Sequence, residues 1–272
     1  VTRCNSIIGL KHLGAAIYLL VVTKSKISAV FPPAHKIYKI VGSNWIRIPL
    51  VYPFHQTKND IKNMDLLTEF LIDNHHFYCE TLDLTKPYPE AITNNTTNGG
   101  SKGANASPTA GYTEEFCWNT KLAEPFSLLK MRDWCCVLLQ GMAEHRNLAS
   151  KEAINGVNVC MITRKSCFNP GTRYHARGLD QLKFSPGNEY ECEQVVWKEN
   201  QGVINWSSCV WRRGTVPIHW GSKLDNAAQF KDAEIYISKK PYENVRTYWD
   251  RIAKRYGNSQ IVLLNLLRYK TH

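Results

Sequence analysis

The densest run of groups able to do chemistry is Arg164 to Asp180 (RKSCFNPGTRYHARGLD), which carries Arg164, Lys165, Arg173 and Arg177 and no acid before its last residue. Four cations with no acid close by in sequence suit an anionic ligand. Gly171 and Gly178 let the backbone turn tightly beside them. Guanidinium groups grip phosphate through paired, charge-assisted N–H bonds, each contributing on the order of 1.5–3 kcal/mol. A solvated basic edge strand would have the same composition. A second basic element, Trp211 to Trp220 (WRRGTVPIHW), sets Arg212 and Arg213 between two tryptophans. Successive side chains of a strand point to opposite faces, so at most one of that pair enters any given pocket.

Cys167 and Arg173 stand at the Cys-x5-Arg spacing of cysteine phosphatases. That chemistry needs a thiolate ringed by converging N–H groups at a helix N-terminus, with the Arg on the phosphoryl oxygens. Pro170 has no N–H, Tyr174 stands where a Ser or Thr belongs, and the residues that follow read as extended or turn-like. Cys167 is therefore read as a decoy, and no catalytic residue is assigned. His75, His76 and Cys79 could be half of a metal site, but no second ligand pair accompanies them, and they read as loop residues. The nine cysteines contain no CxxC pair, so zinc-ribbon and thioredoxin-type sites are not expected, and no cofactor is assigned. Packed, reduced thiols are the simpler reading.

The elements that must position these groups show in the periodicity. Ile17–Thr23, Lys36–Val41 and Trp45–Tyr52 have strand length and are bounded by Pro, Gly or Asn. Asn59–Asp73 puts Ile61, Met64, Leu67 and Leu71 on one helical face, with Asn59 or Asp60 as N-cap. A helix is expected over Lys121–Arg132 around Pro125, and a strand over Trp134–Leu139. Further strands are expected over Val157–Thr163, Glu191–Trp197 and Ser208–Arg213. Glu243–Tyr256 reads as a helix, with Val245, Tyr248, Trp249, Ile252 and Tyr256 on one face, basic residues in its last turn and Gly257 after it. Ile261–Leu267 (IVLLNLL) is apolar apart from Asn265 and reads as a strand covered on both faces. Asn94–Gly111, rich in Asn, Thr, Gly and Ser, reads as a flexible insertion.

With 272 residues and 43% hydrophobic residues the chain can bury a real core, which excludes a disordered polyanion binder. Its net charge of +11 is uneven: residues 1–150 carry 15 basic and 12 acidic groups, and 151–272 carry 19 and 11. The apolar run Leu13–Val22 is far short of the roughly 20 residues that a membrane helix needs. No nucleic-acid motif accompanies the basic groups, so nucleic acid is not an expected partner.

At these residues the chain resembles the Sac-domain phosphoinositide phosphatases, above all the long plant-type members. The resemblance rests on Ile8-Gly9-Leu10, Tyr18–Thr23, His35–Ile40 and Trp118-Asn119. Thr163–Cys167, Gly171–Tyr174, Arg177-Gly178, Asn188-Glu189 with Glu191–Gln194, and Arg213–Pro217 with Trp220 carry it further. It implies a mixed α/β (α+β) protein: a β-rich N-terminal Sac subdomain over 1–155, and an incomplete α/β catalytic subdomain beginning at 156. It also implies removal of phosphate from inositol-lipid headgroups by a peripheral protein at cytosolic membrane surfaces, without a metal. Lys165, Arg173, Arg177, Arg212 and Arg213 are the candidate phosphate contacts. The family's Cys-x5-Arg-Thr/Ser loop lies downstream of the segment matched by Arg213–Pro217 and is absent from these 272 residues, so the chain is expected to end before its nucleophile and to be inactive alone. The alternative is a non-catalytic module that binds anionic lipid or a protein partner.

Overall fold

The computed structural model describes residues 3–13, 16–50, 57–73, 75–97, 111–148, 156–171, 176–223, 234–257 and 260–266. The chain divides into two compact units, Val1–Cys167 with Tyr190–Arg213, and Phe168–Glu189 with Gly214–His272. The mixed fold expected from the sequence is present: ten strands accompany four α-helices among the described residues.

The first unit is built on an eight-stranded antiparallel sheet whose spatial order is its sequence order. Its strands are β1 (Ser6–Leu13), β2 (Ala16–Phe31), β3 (His35–Pro49), β4 (His76–Cys79), β5 (Leu139–Leu148), β6 (Val157–Lys165), β7 (Tyr190–Asn200) and β8 (Val203–Arg213). The two expected strands Lys36–Val41 and Trp45–Tyr52 are one continuous β3, which reaches Pro49. The boundary expected between residues 155 and 156 falls between β5 and β6, inside this sheet. Alternation gives the sheet two buried faces. Ile37 and Phe77 join Phe31, Leu84, Tyr88, Phe116, Ile162 and Val195 in one core cluster. Their neighbours Ile40 and Tyr78 join Ile8, Leu20, Leu71 and Leu138 in another.

Helix α1 (Lys58–Asp73) supplies Leu67 and Leu71 to that second cluster. Its cap is two or three residues earlier than the sequence suggested. Asp60 N–H donates to Thr57 Oγ1 (3.1 Å) and Thr57 N–H donates to Asp60 Oδ2 (3.2 Å), a reciprocal capping box. Helix α2 (Tyr88–Thr97) takes up the start of the expected insertion, whose residues 98–110 lie outside the described residues. Helix α3 (Thr120–Leu128) ends four residues before the expected Arg132, and Lys130 just beyond it takes a left-handed φ of 58°. Trp134–Leu139 is not a strand until its last residue. A 3-10 turn over Arg132–Trp134 leads into irregular chain whose backbone is claimed by a side chain: Asn119 Nδ2 donates to Cys136 O and Ile8 O, and Asn119 Oδ1 accepts from Leu138 N–H.

In the second unit, β9 (Trp220–Lys223) pairs antiparallel with β10 (Glu234–Ile237), and α4 (Val245–Arg255) packs Tyr248 and Ile252 on Leu179. Tyr248 Oη donates to Glu189 Oε1 at 2.6 Å. Residues 260–266 form no strand, and Leu264 and Leu266 are 81% and 82% exposed. The apolar run therefore lacks the cover that a buried strand requires, because no described strand pairs with it.

Candidate functional site

Lys165, Tyr190 and Arg213 are direct cross-strand partners on β6, β7 and β8, so the pleat puts all three side chains on one face of the sheet. Lys165 Nζ lies 5.9 Å from the ring centroids of both Trp118 and Tyr190, and Arg213 Cζ lies 5.8 Å from the Tyr190 ring. Two cations are thus held beside one aromatic ring. Burial lowers the Lys165 ammonium pKa from its ordinary value, which means the charge is partly desolvated and attracts an anion more strongly than a fully hydrated lysine would. Arg213 stays exposed.

The neighbouring basic residues face the other way. Arg164 is fully buried: its Nη1 pairs with Glu191 Oε1 at 3.2 Å, its Nη2 with Glu193 Oε2 at 2.6 Å, and its Nε and Nη2 donate to Leu84 O and Lys86 O. Arg212 pairs with Glu115 and with Glu191 Oε2 (3.6 Å) and lies over the Phe116 ring. Arg164 has no acid nearby in sequence, but strand register supplies its counter-ions from β7. Glu193 Oε1 also accepts from Tyr88 N–H and Ser208 Oγ–H, so both oxygens of this carboxylate have partners. This network was not foreseen, although the alternating acids Glu191 and Glu193 close to Cys192, Val195 and Val196 were its signal.

Arg173 lies outside the described residues. Arg177 belongs to the second unit, where its Cζ stacks 5.2 Å over the Trp220 ring. The next residue, Gly178, has φ +60°, and a Cβ there would come within 2.6 Å of the Ile218 and Trp220 carbonyl oxygens, so only glycine fits this turn. Cys167 is held by its backbone N–H to Glu115 O (2.8 Å) and its thiol to Glu114 O (3.4 Å). Burial pushes its pKa up to about 12, with Cys117, Glu115 and Glu114 adding to the rise. That environment disfavours a thiolate.

Beside Lys165 and Tyr190 the sheet surface carries an open depression of about 330 Å³, lined also by Asp73, His75, Gln140, Gly141, Met142 and Thr163. Gly141 lets β5 approach β6 closely, since a Cβ there would strike the Thr163 carbonyl oxygen. Gln140 is 4% exposed and its Oε1 has no hydrogen-bond partner. Its cross-strand neighbour His76 is 0% exposed, donates through Nδ1–H to Leu71 O (3.0 Å), and has an unpartnered Nε2. Trp118 Nε1 donates to Lys165 O at 2.9 Å and ties this aromatic side to the end of β6. Among the described residues no group of His, Cys, Asp and Glu is arranged to hold a metal, and no helix is long and apolar enough to cross a membrane.

The chain is 27% identical over 279 residues to phosphoinositide phosphatase SAC3 of Arabidopsis thaliana, which covers 99% of this chain and 32% of the relative. It is 28% identical over 285 residues to phosphoinositide phosphatase SAC5 of the same plant (100% and 33%). It is 24% identical over 282 residues to a polyphosphoinositide phosphatase of Schizosaccharomyces pombe (98% and 32%). The chain thus spans about a third of the length of these curated relatives. The family model described as the SacI homology domain matches residues 5–272, a span that takes in both the buried Arg164 network and the exposed Lys165–Arg213 row, and the chain belongs to that family.

Proposed function

We propose that this chain is the N-terminal part of a phosphatase that removes phosphate from inositol-lipid headgroups, working at the cytosolic surface of membranes as a peripheral protein. The observation that carries the reading is the family match over residues 5–272, joined by relatives named as phosphoinositide phosphatases along nearly the whole chain. Residues 156–272 contribute the first part of the catalytic subdomain. Lys165 and Arg213 meet phosphate on the sheet face, with Arg173 and Arg177 as further contacts. Arg212 is bound by two carboxylates and serves the anion only by fixing the strand that presents Arg213.

Residues 1–272 alone do not turn over in this reading. Their only Cys-x5-Arg is Cys167 with Arg173, and the half-buried Cys167 thiol donates to the Glu114 carbonyl and stands in no ring of N–H donors among the described residues. Purified 1–272 mixed with phosphatidylcholine vesicles, with and without a phosphoinositide and at two salt concentrations, tests the binding half. Retention only with the phosphoinositide, weakened by salt and by Arg213→Ala, supports it; equal retention on neutral vesicles removes it. Phosphate release from the phosphoinositide that disappears in Cys167→Ser would overturn the assignment of Cys167 as a decoy. The second reading, a binding module without chemistry, is favoured by the high pKa of Cys167.

A further inference from the structure

We propose that the face of strands β5–β8 that carries Lys165 and Arg213 is a docking surface for an amphipathic α-helix of a protein partner, whose apolar stripe lies along β6 and β7 and whose acidic end meets those two cations. The inference goes beyond the phosphoinositide reading and starts from a sheet face that is covered over only half its width. Where β1–β4 form it, Ile8, Leu20, Ile40 and Tyr78 are buried under Leu67 and Leu71 of α1. The pairing of His76 with Gln140, and of Met142 with Thr163, carries the same face on across β5 and β6. There the helical layer stops. The depression beside Lys165 is the step, lined by Asp73 at the end of α1 and by Met142 and Thr163 of the sheet.

Beyond the step the face keeps the chemistry of a covered surface. An antiparallel sheet with one face in water alternates apolar-in with polar-out. Strand β6 does not: Cys160 and Ile162 fill the inner core, while Val157, Val159 and Met161 point outward, with Val196 of β7 opposite Val159. Met142 and Trp211 flank them and are exposed. None of these six outward residues belongs to a core cluster among the described residues. Four strands span about 15 Å and the nine residues of β6 about 30 Å, which fits one helix of about 18 residues.

Charge selects the occupant. The face carries Lys165, Arg213 and Lys198, while its one acid among the described residues, Glu144, is paired with Arg146 at 2.6 Å. A second copy packed with aligned strands sets the Lys165–Arg213 end against itself or against Lys198, cation on cation in both cases. A bilayer would have to take the Glu144–Arg146 pair out of water. A helix covers only the stripe, leaves that pair solvated at the rim, and brings its acids to the two cations. Lipid phosphate is assigned to the same cations, so a bound helix and a phosphoinositide exclude each other there.

The test titrates purified 1–272 into a fluorescein-labelled synthetic peptide of about 18 residues, with leucines at i, i+3, i+4 and i+7 and glutamates at one end. Two control peptides scramble the leucine positions or replace the glutamates with lysines. Anisotropy reads binding and circular dichroism reads the helix formed. The expected result is saturable binding of the first peptide alone, with a gain of helix. Val159→Thr with Val196→Thr should weaken it about tenfold at an unchanged urea midpoint, because threonine keeps the shape and β-branching of valine on an open face. Lys165→Met with Arg213→Ala should weaken it severalfold and reduce its salt sensitivity. No saturable binding, equal binding of the scrambled peptide, or affinity unmoved by the valine substitutions overturns the proposal, and the scrambled control holds whatever the variants do to the fold. A dimer in sedimentation that the valine substitutions dissolve assigns the face to a second copy, and retention on plain phosphatidylcholine vesicles lost in the same variant assigns it to a bilayer; each overturns the helix. Retention on vesicles containing phosphatidylinositol 4-phosphate, with no peptide bound, would leave the phosphoinositide reading standing and sink this one alone.

Discussion

The two faces of strands β6–β8 hold basic residues that are adjacent in sequence and opposite in fate. On the inner face Arg164 and Arg212 are enclosed by Glu115, Glu191 and Glu193, and their charge is consumed within the fold. On the outer face Lys165 and Arg213 flank Tyr190 with no carboxylate in ion-pair range among the described residues. One residue of offset separates each pair, and the pleat turns that offset into a change of environment. Composition therefore overstates the anion-binding capacity of this region by about half, and register identifies which half is available.

The largest consequence of the comparison is on the inner face. Arg164→Met leaves Glu191 and Glu193 buried with their main counter-charge removed, and it also releases the carbonyls of Leu84 and Lys86. A loss of about 3–5 kcal/mol is expected for breaking a buried pair on one side. It is read as a shift of the urea midpoint with unchanged slope. Adding Glu191→Gln and Glu193→Gln should recover part of the loss, since neutral amides cost less to bury unpaired than carboxylates. A midpoint unmoved by Arg164→Met would erase the distinction between the faces.

How much of this was legible depends on whether the information was local. The strands Val157–Thr163, Glu191–Trp197 and Ser208–Arg213 and the helices α1 and α4 carry their periodicity in their own residues, and the structure places them within a few positions. The alternation of Arg212 and Arg213 was also local. The fate of Arg164 was not, because its partners lie on the next strand and only register brings them opposite. Trp134–Leu139 looks like a strand because it is apolar, yet the side chain of Asn119 takes the hydrogen bonds a ladder would have used. Pairing of Lys165 with Arg213 through Tyr190 likewise needs the register, and the orphaned acceptor of Gln140 exists only once its neighbours are in place.

A smaller effect, still read as stability, separates burial with a counter-charge from burial without one. His76 has no carboxylate partner among the described residues. Burial lowers its pKa from 6.5 to about 4, with Leu71 O opposing and His75 and Lys165 adding to the fall. A folded-state pKa below the unfolded value means that the unfolded chain binds the proton first. The stability contributed by neutral His76 is thus present above about pH 6.5 and is lost as pH falls toward about 4, by up to about 3 kcal/mol. His76→Phe should flatten that part of the stability profile relative to the unmodified chain. Equal slopes for the two proteins between pH 7 and 4.5 would mean that His76 takes up its proton in the folded state.

The smallest stability change belongs to the outer face, and it is the one that carries function. Arg213 is exposed and packs only its guanidinium against Tyr190, so Arg213→Ala should alter stability by no more than about 0.5 kcal/mol. Its loss removes one of the two cations beside Tyr190, so retention on phosphoinositide vesicles should fall severalfold and become less sensitive to salt. Arg212→Ala should do the reverse, destabilising the fold through the abandoned Glu115 and Glu191. After correction for the unfolded fraction, it should leave vesicle retention close to that of the unmodified chain. The two substitutions are neighbours in sequence and equal in charge removed, so net charge predicts identical effects on binding. Only the face each residue occupies predicts that they differ, and equal loss of retention from both would return the basic segment to a simple excess of positive charge.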